Sequence, residues 1–108
     1  MKYIPLSNKS GSKITIPLVD SLITFRTCYN YSAECWVLDL LDTAGEVLLA
    51  GLMLVPNVDI MYPYPSLQEE IGSLVLVEKN EDDYKDAELL GSTTKLLWFA
   101  PGEEIELP

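Results

Sequence analysis

Two apolar runs separated by a four-residue turn sequence dominate the hydrophobic pattern of the chain. They occupy residues 36–55 and flank Asp-Thr-Ala-Gly at positions 42–45, and short apolar runs bounded by turn residues are typical of two strands joined by a hairpin. The second run, residues 46–55, has no polar face, and a helix of that composition would be apolar all round. We therefore predict a strand covered on both sides, in which Gly51 marks a bulge, a bend or the close approach of another backbone.

Period-two alternation predicts most of the other strands. Residues 13–18 alternate strictly, and because proline cannot donate to a ladder, Pro17 favours either an edge strand or a position that points outward. Before the hairpin turn, Trp36, Leu38 and Leu40 share one face and are predicted to lie in the core. The predicted strands are residues 13–18, 22–28, 34–41, 46–55, 74–77 and 95–100, after a short extended piece at 3–6.

One short helical segment is predicted after the Tyr-Pro-Tyr-Pro stretch at residues 62–65, which itself favours an extended backbone. Ser66 is the expected N-cap, with Glu69 in the reciprocal capping-box position. The resulting fold class is all-β, a small antiparallel β-barrel or sandwich of about six to eight short strands with at most one or two helical turns. Residues 1–108 form a single β domain, and we expect the acidic residues 101–108 to be a mobile tail.

The charge balance limits the classes of partner. Seventeen acidic and seven basic side chains give a formal net charge of -10 and a pI near 4.1. Nucleic acids and anionic membrane surfaces bind clusters of Lys and Arg, which this chain lacks, so neither is an expected partner. The longest uncharged apolar run is shorter than the roughly 20 residues of a spanning helix, and no apolar signal core opens the chain. We expect synthesis in a cytoplasm.

The two cysteines, Cys28 and Cys35, lie on either side of a predicted turn. Strand pairing there makes a cross-strand disulfide conceivable. Two thiols make no disulfide framework, and a cytoplasmic compartment favours reduced cysteines buried as small hydrophobic side chains.

No constellation of residues predicts catalysis, a metal site or a cofactor. The chain has no histidine, which removes the commonest general base at neutral pH and a common zinc ligand. Asp39 and Asp42 are three apart on a predicted strand and point to opposite faces, so they cannot flank one scissile bond. The Asp-x-x-Gly at 42–45 resembles a GTPase switch, but no phosphate-binding loop accompanies it, and a hairpin turn explains it. The acidic stretch 80–88 lacks the ligand spacing of a calcium loop. We expect no enzyme activity.

The remaining signal is a surplus of large apolar side chains over what one small core hides. Such a surplus usually means that another chain covers part of the surface, although a closed barrel covered by the proline-rich loop would also account for it. The candidate residues of a partner interface are Leu48, Leu52, Leu54, Tyr62, Tyr64 and Trp98.

Several short motifs, which follow one another along nearly the whole chain, resemble those of the small baseplate plug proteins of contractile-tailed bacteriophages. The order begins with Ile-Pro-Leu at residues 4–6 and Trp-Val-Leu-Asp-Leu at 36–40, followed by Gly45 and the apolar run 49–60. It ends with Gly72 before one strand and Leu-Gly at 90–91 before the strand that closes on Leu-Trp-Phe at 97–99.

The resemblance implies a virion structural protein of the tail baseplate, made in the host cytoplasm and packed near the axial hub and spike. Such a protein would help to close or stabilise the tail end, without turnover or cofactor, as part of a larger assembly with hub, spike, tube or wedge proteins. The competing hypothesis is a stand-alone β-barrel binding module that recognises a peptide or carbohydrate through Trp98, Tyr62 and Tyr64.

Overall fold

Seven strands form two antiparallel sheets in a computed structural model that describes residues 1–19 and 21–107. The first sheet has the order β1-β7-β6 and the second the order β2-β3-β4-β5. Across the described residues the sheets do not close into a barrel, so the fold is a small all-β sandwich. The strands are β1 (Lys2–Ile4), β2 (Ser12–Leu18), β3 (Ser21–Asn30), β4 (Cys35–Leu41), β5 (Val47–Met53), β6 (Ser73–Glu78) and β7 (Thr94–Phe99), and the helix is α1 (Pro65–Ile71).

The predicted hairpin is confirmed as β4 and β5. The Asp42 N–H donates to the Glu46 carbonyl at 2.9 Å. The Asp42 side chain accepts from the N–H groups of Ala44 and Glu46, and this local side-chain bonding is the physical reason for aspartate in turns. Pro17 lies in β2, which is an edge strand as predicted.

The core lies between the two sheets. Trp36, Leu38 and Leu40 are buried as predicted, and they pack with side chains of the other sheet such as Leu74 and Leu96. Both faces of β6 are covered, since Leu74 and Leu76 belong to this core while Val75 forms a smaller cluster on the other face with Leu97 and Phe99.

The prediction that residues 46–55 form a strand covered on both sides is wrong for this chain. β5 is an edge strand, with Val47 51% and Met53 49% exposed. The inner face packs as expected, and Leu52 is buried opposite Leu38. The hydrophobic pattern could not reveal the exposed outer face, because apolar residues on a strand do not indicate whether their own chain or another protein covers them.

Gly51 lies in a β-bulge, one of the three alternatives for this glycine. The pairing passes from Leu38 opposite Leu52 to Leu40 opposite Leu49, so β5 has one residue more than β4 in this interval. Gly51 has φ +72°, a left-handed backbone that glycine adopts without steric cost.

The chain then crosses from one sheet to the other through residues 56–60. The Asn57 N–H donates to the Leu76 carbonyl, and the Ile60 N–H donates to the Leu74 carbonyl at 3.0 Å. This crossover therefore covers the outer edge of β6 and links β5 to the three-stranded sheet.

The start of α1 differs from the prediction. The helix begins at Pro65, with Tyr64 in the N-cap position and no side-chain cap, so Ser66 is not the N-cap. Proline is favoured in the first turn because its missing N–H would be unpaired there. The residues before the helix turn rather than extend, since the Tyr62 N–H donates to the Asp59 carbonyl and the Tyr64 N–H to the Met61 carbonyl.

Both cysteines are free thiols, with Cys35 buried and Cys28 exposed. Antiparallel register sets Cys35 opposite Asn30 and Cys28 opposite Val37, so the two thiols are not cross-strand partners. Burial raises the pKa of the Cys35 thiol, which keeps it protonated and unreactive at neutral pH. Residues 101–107 are exposed; the predicted mobility of this tail stays a prediction, and Pro108 lies outside the described residues.

Candidate partner interface

An open apolar groove of about 360 Å³ lies beside the outer edge of β5. One wall comes from the end of β5, at Gly51 to Met53, and the other from the crossover and the turn that follows it. The lining residues are Gly51, Leu52, Met53, Val58, Asp59, Ile60, Tyr62, Pro63 and Tyr64.

The rim of this groove is formed by large apolar side chains that their own chain leaves uncovered. Met53 is 49% exposed, Val58 48%, Tyr62 78% and Tyr64 37%. Single exposed apolar residues are common on soluble proteins, whereas a contiguous group is typical of surfaces that bind another molecule. We call these four residues the β5 rim.

An ion pair between β3 and β4 is hydrogen-bonded to the bulge in β5, two residues before Met53. Asp39 and Arg26 are cross-strand partners, and both Nε and a terminal nitrogen of Arg26 donate to Asp39 Oδ2, at 3.0 and 2.8 Å. The other carboxylate oxygen, Oδ1, accepts the Gly51 N–H at 2.9 Å. The bulge removes the Gly51 N–H from the regular pattern of hydrogen bonds between strands, and the Asp39 carboxylate accepts it instead.

The hydrogen bonding of Asp59 fixes the other wall. Its Oδ1 accepts the N–H groups of Met61 at 3.0 Å and Leu74 at 3.4 Å. Its Oδ2 accepts from the Gln68 side chain, which also donates to Ser73 Oγ. One carboxylate therefore ties the turn bearing Tyr62 to both α1 and β6.

Comparison with protein families gives the identity of this sandwich. The family described as cyanophage baseplate Pam3 plug gp18 matches residues 1–101 of the 108. The chain belongs to this family of baseplate plugs. None of the curated proteins matches it. The match runs from β1 through β7, and it confirms the resemblance drawn from the sequence motifs.

The plug is accordingly a virion protein of the phage tail baseplate, with a structural role and with other baseplate proteins as its associates. Within the described ranges no group of three or more His, Cys, Asp or Glu side chains is arranged to hold a metal ion. None of the described helices is long and apolar enough to cross a bilayer.

The six interface residues predicted from the sequence are not one surface in the plug. Tyr62 and Tyr64 lie on the β5 rim. Leu52 is only 6% exposed but is one of the residues that line the groove. Leu54 is buried at 1% exposure. Leu48 is half-buried against the core, and so is Trp98, whose indole N–H donates to the Ile71 carbonyl. Partner binding by this set stays a prediction.

Sequence reasoning did not select Met53 and Val58. Met53 lies on the apolar run whose missing polar face was the available signal, and it is exposed while its neighbours Leu52 and Leu54, on the opposite face, are buried. Val58 had no signal, because its exposure depends on how the crossover packs along β6.

The plug should lose part of its stability in acid through Asp39. Burial opposes ionisation of this carboxyl, but the Gly51 N–H and the Arg26 guanidinium outweigh it, and the pKa of Asp39 falls below its ordinary 3.8. A lowered pKa adds stability above the unfolded-state value and loses it as pH falls through the folded-state value. Asp39→Asn should therefore be less stable than wild type at neutral pH, with the gap narrowing below about pH 4. Urea unfolding of wild type and Asp39→Asn at neutral pH and below about pH 4 measures the two free energies of unfolding. A difference between them that does not change with pH would contradict the prediction.

Proposed function

We propose that this baseplate plug packs against the axial hub and spike and helps to close or stabilise the tail end before infection. The β5 rim is the proposed contact surface. The observation that supports this assignment is the contiguous exposure of Met53, Val58, Tyr62 and Tyr64 around one groove.

The chemistry of the β5 rim suits contact with protein. Methionine and aromatic side chains are enriched in protein interfaces, where tyrosine adds a hydroxyl that binds at the wetter margin. A partner that covers the rim also shields the bare outer side of β5 from other strands. A plug of this kind acts by filling space and by binding its neighbours, and this action requires no catalytic turnover.

Substitution on the β5 rim tests the proposed contact. Met53→Asp and Tyr62→Asp each place a charge where an apolar partner surface would bury it, and an unpaired buried charge is strongly unfavourable. We expect both variants to fold with wild-type circular dichroism and to be depleted at least about tenfold from baseplates assembled with the hub and spike proteins. Quantitative mass spectrometry of purified particles gives the occupancy.

The matched control is Leu22→Asp. The exposed fraction of Leu22 is 46%, similar to the 49% of Met53. Leu22 lies on β3, however, and outside the groove. Wild-type occupancy of Leu22→Asp with loss of the Met53 and Tyr62 variants supports the proposal. Equal depletion of all three variants, or full occupancy of all three, would refute the assignment of this surface.

A second candidate function is a stand-alone module that binds a peptide or carbohydrate, favoured by the exposed rings of Tyr62 and Tyr64. A fixed low copy number of the chain in intact virions supports the plug position. A chain that is absent from virions and binds a glycan or peptide array through Tyr62 supports the module.

A further inference from the structure

An acidic depression adjoins the apolar groove along the crossover. The groove is lined by Val58, Asp59 and Ile60, while the depression is lined by the two preceding residues, Pro56 and Asn57. Its other side is formed by the last residue of β6, Glu78, and by the segment that follows it, namely Lys79, Asn80, Glu81, Asp82 and Tyr84. The crossover is thus a wall common to the apolar groove and to the acidic depression.

The lining of the depression has a negative formal charge. It contains three acidic side chains, Glu78, Glu81 and Asp82, and one lysine, Lys79. Lys85 lies outside the lining, with its Nζ 3.7 Å from Asp82 Oδ1, and adding its charge still leaves the sum negative. A nearby positive group of a partner would be attracted here.

Glu78 adds a separate observation. Its Oε2 atom is buried and has no hydrogen-bond partner among the described residues. A buried acceptor without a donor is unfavourable, and native structures rarely leave one unsatisfied. Glu78 lines the depression, so its unpaired carboxylate adds to the negative charge that a cationic group of a partner would meet there.

We infer that the groove and the depression form one composite site for a basic amphipathic segment of another baseplate protein. An apolar side chain of that segment lies between Met53 and Tyr62, and a Lys or Arg close to it in sequence faces Glu78, Glu81 and Asp82. This inference rests on the proposed function and specifies the chemistry of the partner. A second copy of the plug is a poor occupant, because each copy has a formal net charge of -10 and like charges oppose association.

The test measures binding of the full-length plug to each purified baseplate protein of the same phage as salt is raised from about 50 to about 500 mM, which shortens the reach of exposed charges. The double variant Glu81→Gln with Asp82→Asn removes two charges from the depression, and asparagine tolerates the left-handed backbone of Asp82, where φ is +66°. The control is Glu104→Gln with Glu106→Gln, an equal change of charge in an exposed segment away from the groove.

We expect the Glu81/Asp82 variant to bind its partner about fivefold more weakly at low salt and nearly as well as wild type at high salt. The Glu104/Glu106 variant should match wild type at both. If Met53→Asp abolishes binding while the Glu81/Asp82 variant binds normally, the composite site is refuted and the β5 rim contact stands. If no baseplate protein binds wild type, both proposals fail. A plug dimer in sedimentation equilibrium that Met53→Asp dissociates would assign the groove to a second copy and overturn the inference.

Discussion

Replacing Gly72 with alanine is expected to lower the free energy of unfolding by more than about 3 kcal/mol, which places it among the most damaging single substitutions. A Cβ atom at this position would overlap the Phe99 carbonyl oxygen and would lie 2.9 Å from Trp98 Nε1. Gly72 also has φ +107°, outside the range that alanine adopts readily. The backbone of β7 cannot move away easily, because it is the central strand of its sheet.

Gly45→Ala separates the two causes. Gly45 has φ +83°, but its Cβ would meet nothing within 4 Å, so the variant should cost only the about 1–2 kcal/mol of a left-handed backbone. Urea unfolding of both variants measures the difference. Equal losses would show that backbone strain, and not the close approach of β7, explains why glycine stands at position 72.

Removal of the Asp59 carboxylate is the second large effect, and it should change stability and binding together. Asp59→Ala leaves the N–H groups of Met61 and Leu74 without this acceptor, and it removes one of the two acceptors of the Gln68 side chain, which keeps Ser73 Oγ. We expect a loss of about 2 kcal/mol, since part-buried donors that lose their acceptor are costly. Partner binding should weaken as well, because the turn that presents Tyr62 is no longer tied to α1 and β6.

Asp42→Ala is the comparison for this prediction. Asp42 also accepts two backbone N–H groups, from Ala44 and Glu46, but in an exposed turn, where water replaces the lost acceptor and the cost falls to about 1 kcal/mol. Thermal unfolding and baseplate occupancy of both variants give the two readouts. Asp59→Ala particles with normal occupancy would show that the turn keeps its shape without the carboxylate.

The sequence predicted the strands well where alternation was strict, as at residues 13–18, because the choice of the inner face follows directly from a period of two. It also named a bulge as one of three alternatives at Gly51, since glycine inside a strand marks a bulge, a bend or the close approach of another backbone. The start of α1 was misplaced because a capping-box pattern at Ser66 competed with Pro65 at the first helical position.

The candidate site was only half predictable. Tyr62 and Tyr64 stood out as large rings in a proline-rich stretch, so their exposure could be anticipated. Asp59 and Asp39 gave no such signal, because their roles depend on donors that are distant in sequence, such as Leu74 for the first and Gly51 for the second. Leu54 was included because a pattern without a polar face does not tell the edge of a sheet from its interior.

The pairing of β1 with β7 sets an order on the folding of the plug. The four-stranded sheet joins strands that follow one another along the chain, so each pairing closes a short loop. β1 must instead find Leu96 to Trp98, at the other end of the sequence. Contacts between such distant residues form slowly because loop-closure entropy opposes them. The meander of β2 to β5 can therefore form early, while Ile4 reaches its buried position only when β7 is in place.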